Sequence, residues 1–319
     1  MSFTILGTGS YVPQKILTND DMSKFLDTSD EWIAERTGIR QRRVSVDEHT
    51  SDMAYKAAIK AMEEANVKPE ELDMILCATI TPENASPSVA IMVQKMIGAT
   101  CPAMDISAAC SGFIYVLETA AGFFARKKAK KMLVIGAERL TKMLNWNDRG
   151  TCVIFADGAG AVVLGEGDDY LSSKIGAKGD DDIIKIPNHI GLSPYFEREA
   201  EEPYINMKGR EVYKYAVNHM CMDIKDVLEQ ANLTQEDASF VIPHQANLRI
   251  IEAVAKKLSI PEERFCHNIE KYGNTSSASI PIMLDEMNKE NKLKKGDYIV
   301  FCAVGGGLTT GASVIRWSK

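Results

Sequence analysis

Three short segments, far apart in the chain, carry side chains able to make and break covalent bonds. In the first, Ala103-Met104-Asp105-Ile106 gives way to Ser107-Ala108-Ala109-Cys110-Ser111-Gly112 and then to Phe113-Ile114-Tyr115-Val116-Leu117. A short strand passes into a helix there, and Cys110 occupies the corner. The positive end of a helix dipole favours thiolate over a thiol whose ordinary pKa is about 8.5. Small neighbours permit a sharp turn and close ligand approach, the logic of a nucleophile elbow with sulfur in place of hydroxyl. Read alone, the segment fits a buried structural cysteine as well as a nucleophile.

The second segment is Phe240-Val241-Ile242-Pro243-His244-Gln245-Ala246-Asn247. His244 falls in a loop at a strand end, where reactive groups gather in α/β sheets, although a helix-capping or core histidine suits the same position. His49, His189, His219 and His267 lack this setting. The third, Tyr272-Gly273-Asn274-Thr275-Ser276, precedes the apolar Ile280-Pro281-Ile282-Met283-Leu284. By itself it is a turn or a helix cap. Three Gly-rich loops, Gly7-Thr8-Gly9, Gly158-Ala159-Gly160 and Gly305-Gly306-Gly307, complete neither a dinucleotide fingerprint nor a P-loop. The last follows a β-rich run, so its N–H groups either face a ligand or simply turn the chain.

An internal repeat supplies the elements that must position these residues. Ala65 to Leu76 aligns with Ala231 to Ile242 at a shift of 166 residues, and Met132 to Ala137 aligns with Tyr298 to Ala303 at the same shift. Each half repeats one α/β unit, with helices expected over Ser51 to Ala65, Ser111 to Arg126 and Asn247 to Leu258. The partner strands are short and apolar, as in sheets covered on both faces. The same shift carries Cys110 to Ser276, two residues from Asn274, and Ala78 to His244. If the halves superpose, a pseudo-twofold axis brings Cys110, His244 and Asn274 together. The halves are expected at 1–168 and 169–319, with a loop-rich insertion at their junction, from about Glu166 to Glu202, that ends in the acidic run Glu197 to Glu202.

Composition narrows the partners. The 319 residues are 45% apolar and 25% charged, ordinary for a packed enzyme-sized body. A net charge of −7 argues against a nucleic-acid binder, and an anionic ligand must meet a local basic patch. Seven scattered cysteines without a CxxC pair imply neither disulfides nor zinc. With no signal-like start and no membrane-length apolar run, the expectation is a soluble, cytoplasmic protein without a metal or resident cofactor.

Taken together, Ala109-Cys110-Ser111-Gly112, Pro243-His244-Gln245-Ala246-Asn247-Leu248-Arg249, Gly273-Asn274-Thr275-Ser276 and Gly305-Gly306-Gly307 resemble the 3-oxoacyl-[acyl-carrier-protein] synthase III family. So do Gly7 to Pro13, Thr28 to Ile33, Arg36 to Arg40 and Asp157 to Ala161, so the likeness spans essentially the whole chain. The resemblance implies a thiolase-like, duplicated αβαβα five-layer fold of the α/β class. It implies a decarboxylative condensation of a short acyl-CoA with malonyl-acyl carrier protein, with no cofactor beyond these substrates. Cys110 would be the acyl-accepting nucleophile, His244 and Asn274 its partners, and the N–H groups of Cys110 and Gly306 the oxyanion hole.

By the same resemblance, Trp32, Arg36, Thr37 and Arg149 would hold the nucleotide of CoA, and Met207, Gly209, Tyr213, Ala246 and Asn247 would line the pantetheine tunnel. Gln245, Ala246, Asn247, Leu248 and Arg249, with Lys256 and Lys257 nearby, would meet the carrier protein, although solvated helix faces account for the two lysines equally well. Tunnel bulk near Thr81 to Ser88 would set acyl length, and a homodimer is implied. A departure is Met207-Lys208-Gly209-Arg210, more basic than in some members. Competing readings are a polyketide starter enzyme, a 3-hydroxy-3-methylglutaryl-CoA synthase, or a silent acyl-CoA-binding protein of the same fold.

Overall fold

The computed structural model describes residues 2–187, 195 and 201–319. His189 and the stretch 197–200 of the acidic run, singled out above, lie outside the described residues. The first sheet is built from β1 (Ser2–Tyr11), β2 (Met74–Ala78), β3 (Ala103–Ile106), β4 (Lys131–Arg139) and β5 (Asp157–Gly167), in the order β1-β5-β4-β2-β3. The second uses β6 (Tyr170–Asp180), β7 (Ala238–Pro243), β8 (Tyr298–Gly305) and β9 (Gly307–Arg316), in the order β6-β9-β8-β7. Strand by strand the two match: each has an antiparallel edge pair, an antiparallel step inward, then a parallel pair. The counterpart of β3 is reduced to a single parallel bridge between Val241 and Phe265.

Helices frame the sheets and the cavity: α1 (Asp30–Thr37), α2 (Thr50–Ala65), α3 (Val89–Ile97), α4 (Gly112–Ala125), α5 (Gly209–Gln230), α6 (Leu248–Leu258) and α7 (Ser279–Lys289). One outer layer is α2 and α3 on the first sheet; the other is α5 and α6 on the second. Between the sheets lie α4 and α7, which share one apolar core with strands of both. This is the five-layer αβαβα arrangement. Its logic is visible in composition: β2 reads Met-Ile-Leu-Cys-Ala and is buried throughout, as a strand covered on both faces must be. Helix α4 buries residues on several sides, Phe113, Ile114, Val116, Leu117, Ala120 and Phe124 among them.

Both central helices start the same way. A 3-10 turn over Ala109–Ser111 leads into α4, and one over Ser276–Ala278 leads into α7. Each turn opens on a residue with left-handed backbone, Ala109 at φ 48° and Ser276 at φ 51°. The structural partner of Cys110 is therefore Ser277, one residue beyond the position that the sequence repeat indicates. Helices anticipated at 51–65, 111–126 and 247–258 run over Thr50–Ala65, Gly112–Ala125 and Leu248–Leu258. Asn247 is the cap of the third, its side chain accepting the Arg249 N–H at 2.9 Å. Among the described residues no helix is long and apolar enough to cross a membrane, and no group of His, Cys, Asp and Glu has the arrangement of a metal site.

Close backbone approach joins the first sheet to the second elbow. A Cβ on Gly136 of β4 would lie 2.4 Å from the Ser277 carbonyl oxygen, whereas one on Gly122, at the exposed side of α4, would meet nothing within 4 Å. Gly136→Ala should therefore cost about 1–3 kcal/mol in urea unfolding. Gly122→Ala should add about 0.5–1 kcal/mol through helix propensity. Equal midpoints for the two variants would contradict this packing.

Candidate active site

A cavity of about 1440 Å³ opens where strand ends from both sheets face one another, and Cys110, His244, Asn274 and Gly306 all line it. Cys110 arrives from the β3–α4 elbow. His244 is the first residue after β7, its N–H bonded to the Cys302 carbonyl at 2.8 Å. Asn274 comes from the loop before the α7 elbow. Its backbone is zipped to the first half, donating to the Ile154 carbonyl at 3.0 Å and accepting from the Ala156 N–H at 2.9 Å.

Each side chain is oriented by a partner. Asn274 Oδ1 accepts the Ser276 N–H at 2.8 Å, so the NH₂ end is the one left for the cavity. His244 is buried, and its Nδ1 lies 2.8 Å from Ser279 Oγ. Burial lowers its pKa to about 3, so the ring is neutral across the physiological range. Cys110 departs from the sequence expectation. Burial pushes its thiol up to about 12; the Ser276 hydroxyl opposes this and the charge of Glu138 reinforces it. Cys110 is half-buried on the cavity wall, and loss of solvation there favours the thiol over the thiolate.

Beneath these three lies Glu138, the penultimate residue of β4, fully buried. Its Oε2 accepts from Thr81 Oγ1 at 2.7 Å, the Ile80 N–H at 3.1 Å and Thr79 Oγ1 at 3.3 Å. Its Oε1 accepts from Ser277 Oγ at 2.9 Å and Ser276 Oγ at 3.2 Å. Sequence reading missed it, although a carboxylate ending an apolar strand was a usable signal. Thr309 was missed too. Its Oγ1 donates to the Ala108 carbonyl at 2.9 Å, tying the glycine loop to the nucleophile turn. A Cβ on Gly305 would stand 2.7 Å from the Cys110 nitrogen, so only glycine lets the two segments meet.

At the mouth, the guanidinium carbons of Arg36 and Arg149 lie 4.5 and 5.0 Å from the Trp32 ring centroid. Met207, Gly209, Tyr213, Ala246, Asn247 and Thr37 line the passage inward. Thr37 contributes wall rather than a free hydroxyl, because Oγ1 donates to the Ile33 carbonyl at 2.6 Å and accepts the Ile39 N–H at 3.1 Å. Asn247 braces α6 to α1, donating to the Arg36 carbonyl at 2.9 Å. Arg249 is exposed at the rim, and Lys256 and Lys257 are exposed in the last turn of α6.

Two members of the expected docking string are corrected. Gln245 is buried, donating to the Pro243 and Cys266 carbonyls at 2.7 and 3.2 Å and accepting the Asn268 N–H at 3.1 Å. Leu248 is half-buried and seated against Gly38, where an added Cβ would touch the leucine Cβ at 2.5 Å. Gln245 offers no free surface, and the buried side of Leu248 is consumed in holding the start of α6.

The duplicated fold with a cysteine at the central elbow defines a thiolase-fold condensing enzyme. Known proteins make the class specific. Two models described as 3-oxoacyl-[acyl-carrier-protein (ACP)] synthase III match residues 104–179 and, as its C-terminal part, 228–317. Relatives named beta-ketoacyl-[acyl-carrier-protein] synthase III from Clostridium acetobutylicum and Aquifex aeolicus are 49% and 50% identical, covering 100% and 99% of this chain and 99% and 100% of theirs. A crystal structure of the synthase III from Aquifex aeolicus VF5 has a TM-score of 0.93 at 49% identity, covering 99% of this chain and 100% of that one. The priming beta-ketosynthase of the R1128 polyketide pathway has a TM-score of 0.92 at 32% identity, covering 100% and 97%. The chain belongs to the 3-oxoacyl-[acyl-carrier-protein] synthase III family, and is a condensing acyltransferase of fatty-acid synthesis.

Glu138 supplies a test of the site's electrostatics. Burial raises its pKa from 4.5 to about 7. The folded state therefore favours the neutral carboxyl, and that stabilisation is lost as pH rises through this window. Glu138→Gln has no such loss. The urea midpoint of the variant minus that of the parent should climb between pH 4.5 and 7 and level off above; a flat difference would mean an ordinary carboxyl.

Proposed function

We propose that Cys110, His244 and Asn274 carry out a two-stage condensation of a short acyl-CoA with malonyl-acyl carrier protein, initiating fatty-acid synthesis. The observation that carries this reading is the convergence of one thiol and two uncharged donors on the floor of a single cavity. In the first stage Cys110 sulfur attacks the thioester carbon. The Cys110 and Gly306 N–H groups stabilise the oxyanion, and CoA departs as the thiol, carrying the proton that Cys110 gives up. Because the resting thiol holds its proton tightly, loss of the proton accompanies attack rather than preceding it.

In the second stage the malonyl C–C bond to the carboxylate breaks and CO₂ leaves. Its electron pair becomes an enolate whose oxygen is held by His244 Nε2 and Asn274 Nδ2. The carbanion attacks the acyl group and expels Cys110 sulfur, which takes a proton from solvent. The products are 3-oxoacyl carrier protein, CO₂ and the free thiol. A neutral His244 suits this work, since a hydrogen-bond donor is needed and a transferred proton is not. A polyketide starter role is the second reading, and the higher identity to relatives named synthase III favours initiation of fatty-acid synthesis.

Trp32, Arg36 and Arg149 take the nucleotide end of CoA, with no resident cofactor. Arg249 is the main docking group for the acidic carrier, backed by Lys256 and Lys257. The working unit is a cytoplasmic homodimer. Supporting it, Ile91 and Met96 of α3 and Met104 of edge strand β3 are 37%, 37% and 39% exposed.

Labelled acetyl-CoA should transfer its acetyl group to the Cys110 peptide in the absence of malonyl carrier. Reversible binding without transfer would favour the silent binding protein. His244→Ala and Asn274→Ala should each lower condensation about 10²–10³-fold while retaining acyl loading, read by following the two stages separately. Arg249→Glu should raise KM for malonyl carrier and weaken its dependence on salt, with acyl loading unaltered.

A further inference from the structure

The buried face of His244 contains a hydroxyl that the two-stage condensation does not use. Ser279 Oγ, at the first turn of α7, lies 2.8 Å from His244 Nδ1 and also 2.8 Å from the Ser276 carbonyl oxygen. It accepts the Gln245 N–H at 3.3 Å. A hydroxyl has one proton, so only one of its two neighbours can receive it. If the Ser276 carbonyl does, Nδ1 must carry the ring proton and Nε2 faces the cavity as a bare lone pair. If Nδ1 does, Nε2 carries the ring proton and faces the cavity as a donor.

We propose that Ser279 is a positioning residue that donates to Nδ1 and thereby holds His244 in the Nε2–H tautomer. Two features favour this arrangement. The Ser276 carbonyl already receives the backbone N–H of Ser279, so it keeps a partner when the hydroxyl turns away. The donor gained at Nε2 meets an oxygen on which charge develops, and such hydrogen bonds are roughly twice as strong as the neutral one given up. Asn274 is fixed as a donor by the same device, its acceptor end being occupied by a neighbour, the Ser276 N–H. The serine thus selects which ring nitrogen is useful, without touching substrate.

The inference rests on His244 serving as the enolate donor, and the two are separable. The full-length enzyme, labelled with ¹⁵N-histidine, has five histidines, and His244 is assigned by its disappearance in His244→Ala. The wild-type ring is expected to show a protonated Nε2 and a bare, hydrogen-bonded Nδ1. Ser279→Ala removes the donor to Nδ1 and leaves the ring beside the Ser276 backbone, whose hydrogen bond favours a protonated ring nitrogen, so the ring proton should move to Nδ1. Decarboxylation of malonyl carrier should then fall about 10²–10³-fold, while acetyl transfer from acetyl-CoA to Cys110 falls less than tenfold. Ser279→Thr should restore both the ring spectrum and decarboxylation. A wild-type ring protonated at Nδ1 overturns the proposal even if the alanine variant does not fold. So does an unchanged ring in a folded Ser279→Ala, or an equal fall in the two stages. His244→Ala that still decarboxylates malonyl carrier would remove the donor reading, and the ring spectrum would still judge Ser279.

Discussion

The site depends on one buried carboxylate. Glu138 ends a central strand of the first sheet, and the groups that donate to it come from the Thr79–Thr81 loop on one side and the Ser276–Ser277 elbow on the other. A carboxyl group this far from water is tolerated because its oxygens are so fully served, although burial still raises its pKa to about 7. Those bonds set the distance between the two halves at the cavity floor. Ser276 in turn fixes the Asn274 amide, and its carbonyl accepts the backbone N–H of Ser279, the residue that faces His244. A disturbance at Glu138 is therefore relayed through Ser276 to the reactive side chains.

The same dryness governs the chemistry. Burial keeps Cys110 as a thiol and His244 as a neutral ring, so the resting site holds no ion pair between them. A thiolate–imidazolium pair would gain reactivity at rest but would present a charged acceptor and a charged acid to every acyl group that arrived. Here charge forms only as bonds change, within reach of donors already in position. Under the proposed function the labour is divided: one half of the duplicated fold would provide the nucleophile, and the other uncharged donors.

Much of this was legible in the chain. The repeat marked corresponding strands and corners because β2 and β7, or β4 and β8, must satisfy the same two-sided burial with the same short apolar vocabulary. Cys110, His244 and Asn274 stood out as chemistry-bearing residues at element boundaries, and the resemblance tied them together. What stayed hidden was what depends on a neighbour's direction. Nothing in Pro-His-Gln-Ala-Asn says that Gln245 turns inward while Arg249 turns out. Desolvation of Cys110 comes from segments distant in the chain that wall the cavity, so local sequence pointed to the opposite shift. The one-residue offset between repeat and structure at the elbows arises because segments of different length meet at a common backbone turn.

The pair of arginines flanking Trp32 has a bearing on how a polyanion gains admission. Arg149 already lies 3.2 Å from Asp27, and Arg36 lies 3.6 Å from Glu35. In the proposed binding mode an arriving phosphate replaces these carboxylates, and because both pairs are solvent-exposed and contribute little, the exchange costs little. The doorway would then act as an exchange counter for charge, trading loosely held carboxylates for phosphates, while the passage behind the indole would add selectivity through shape.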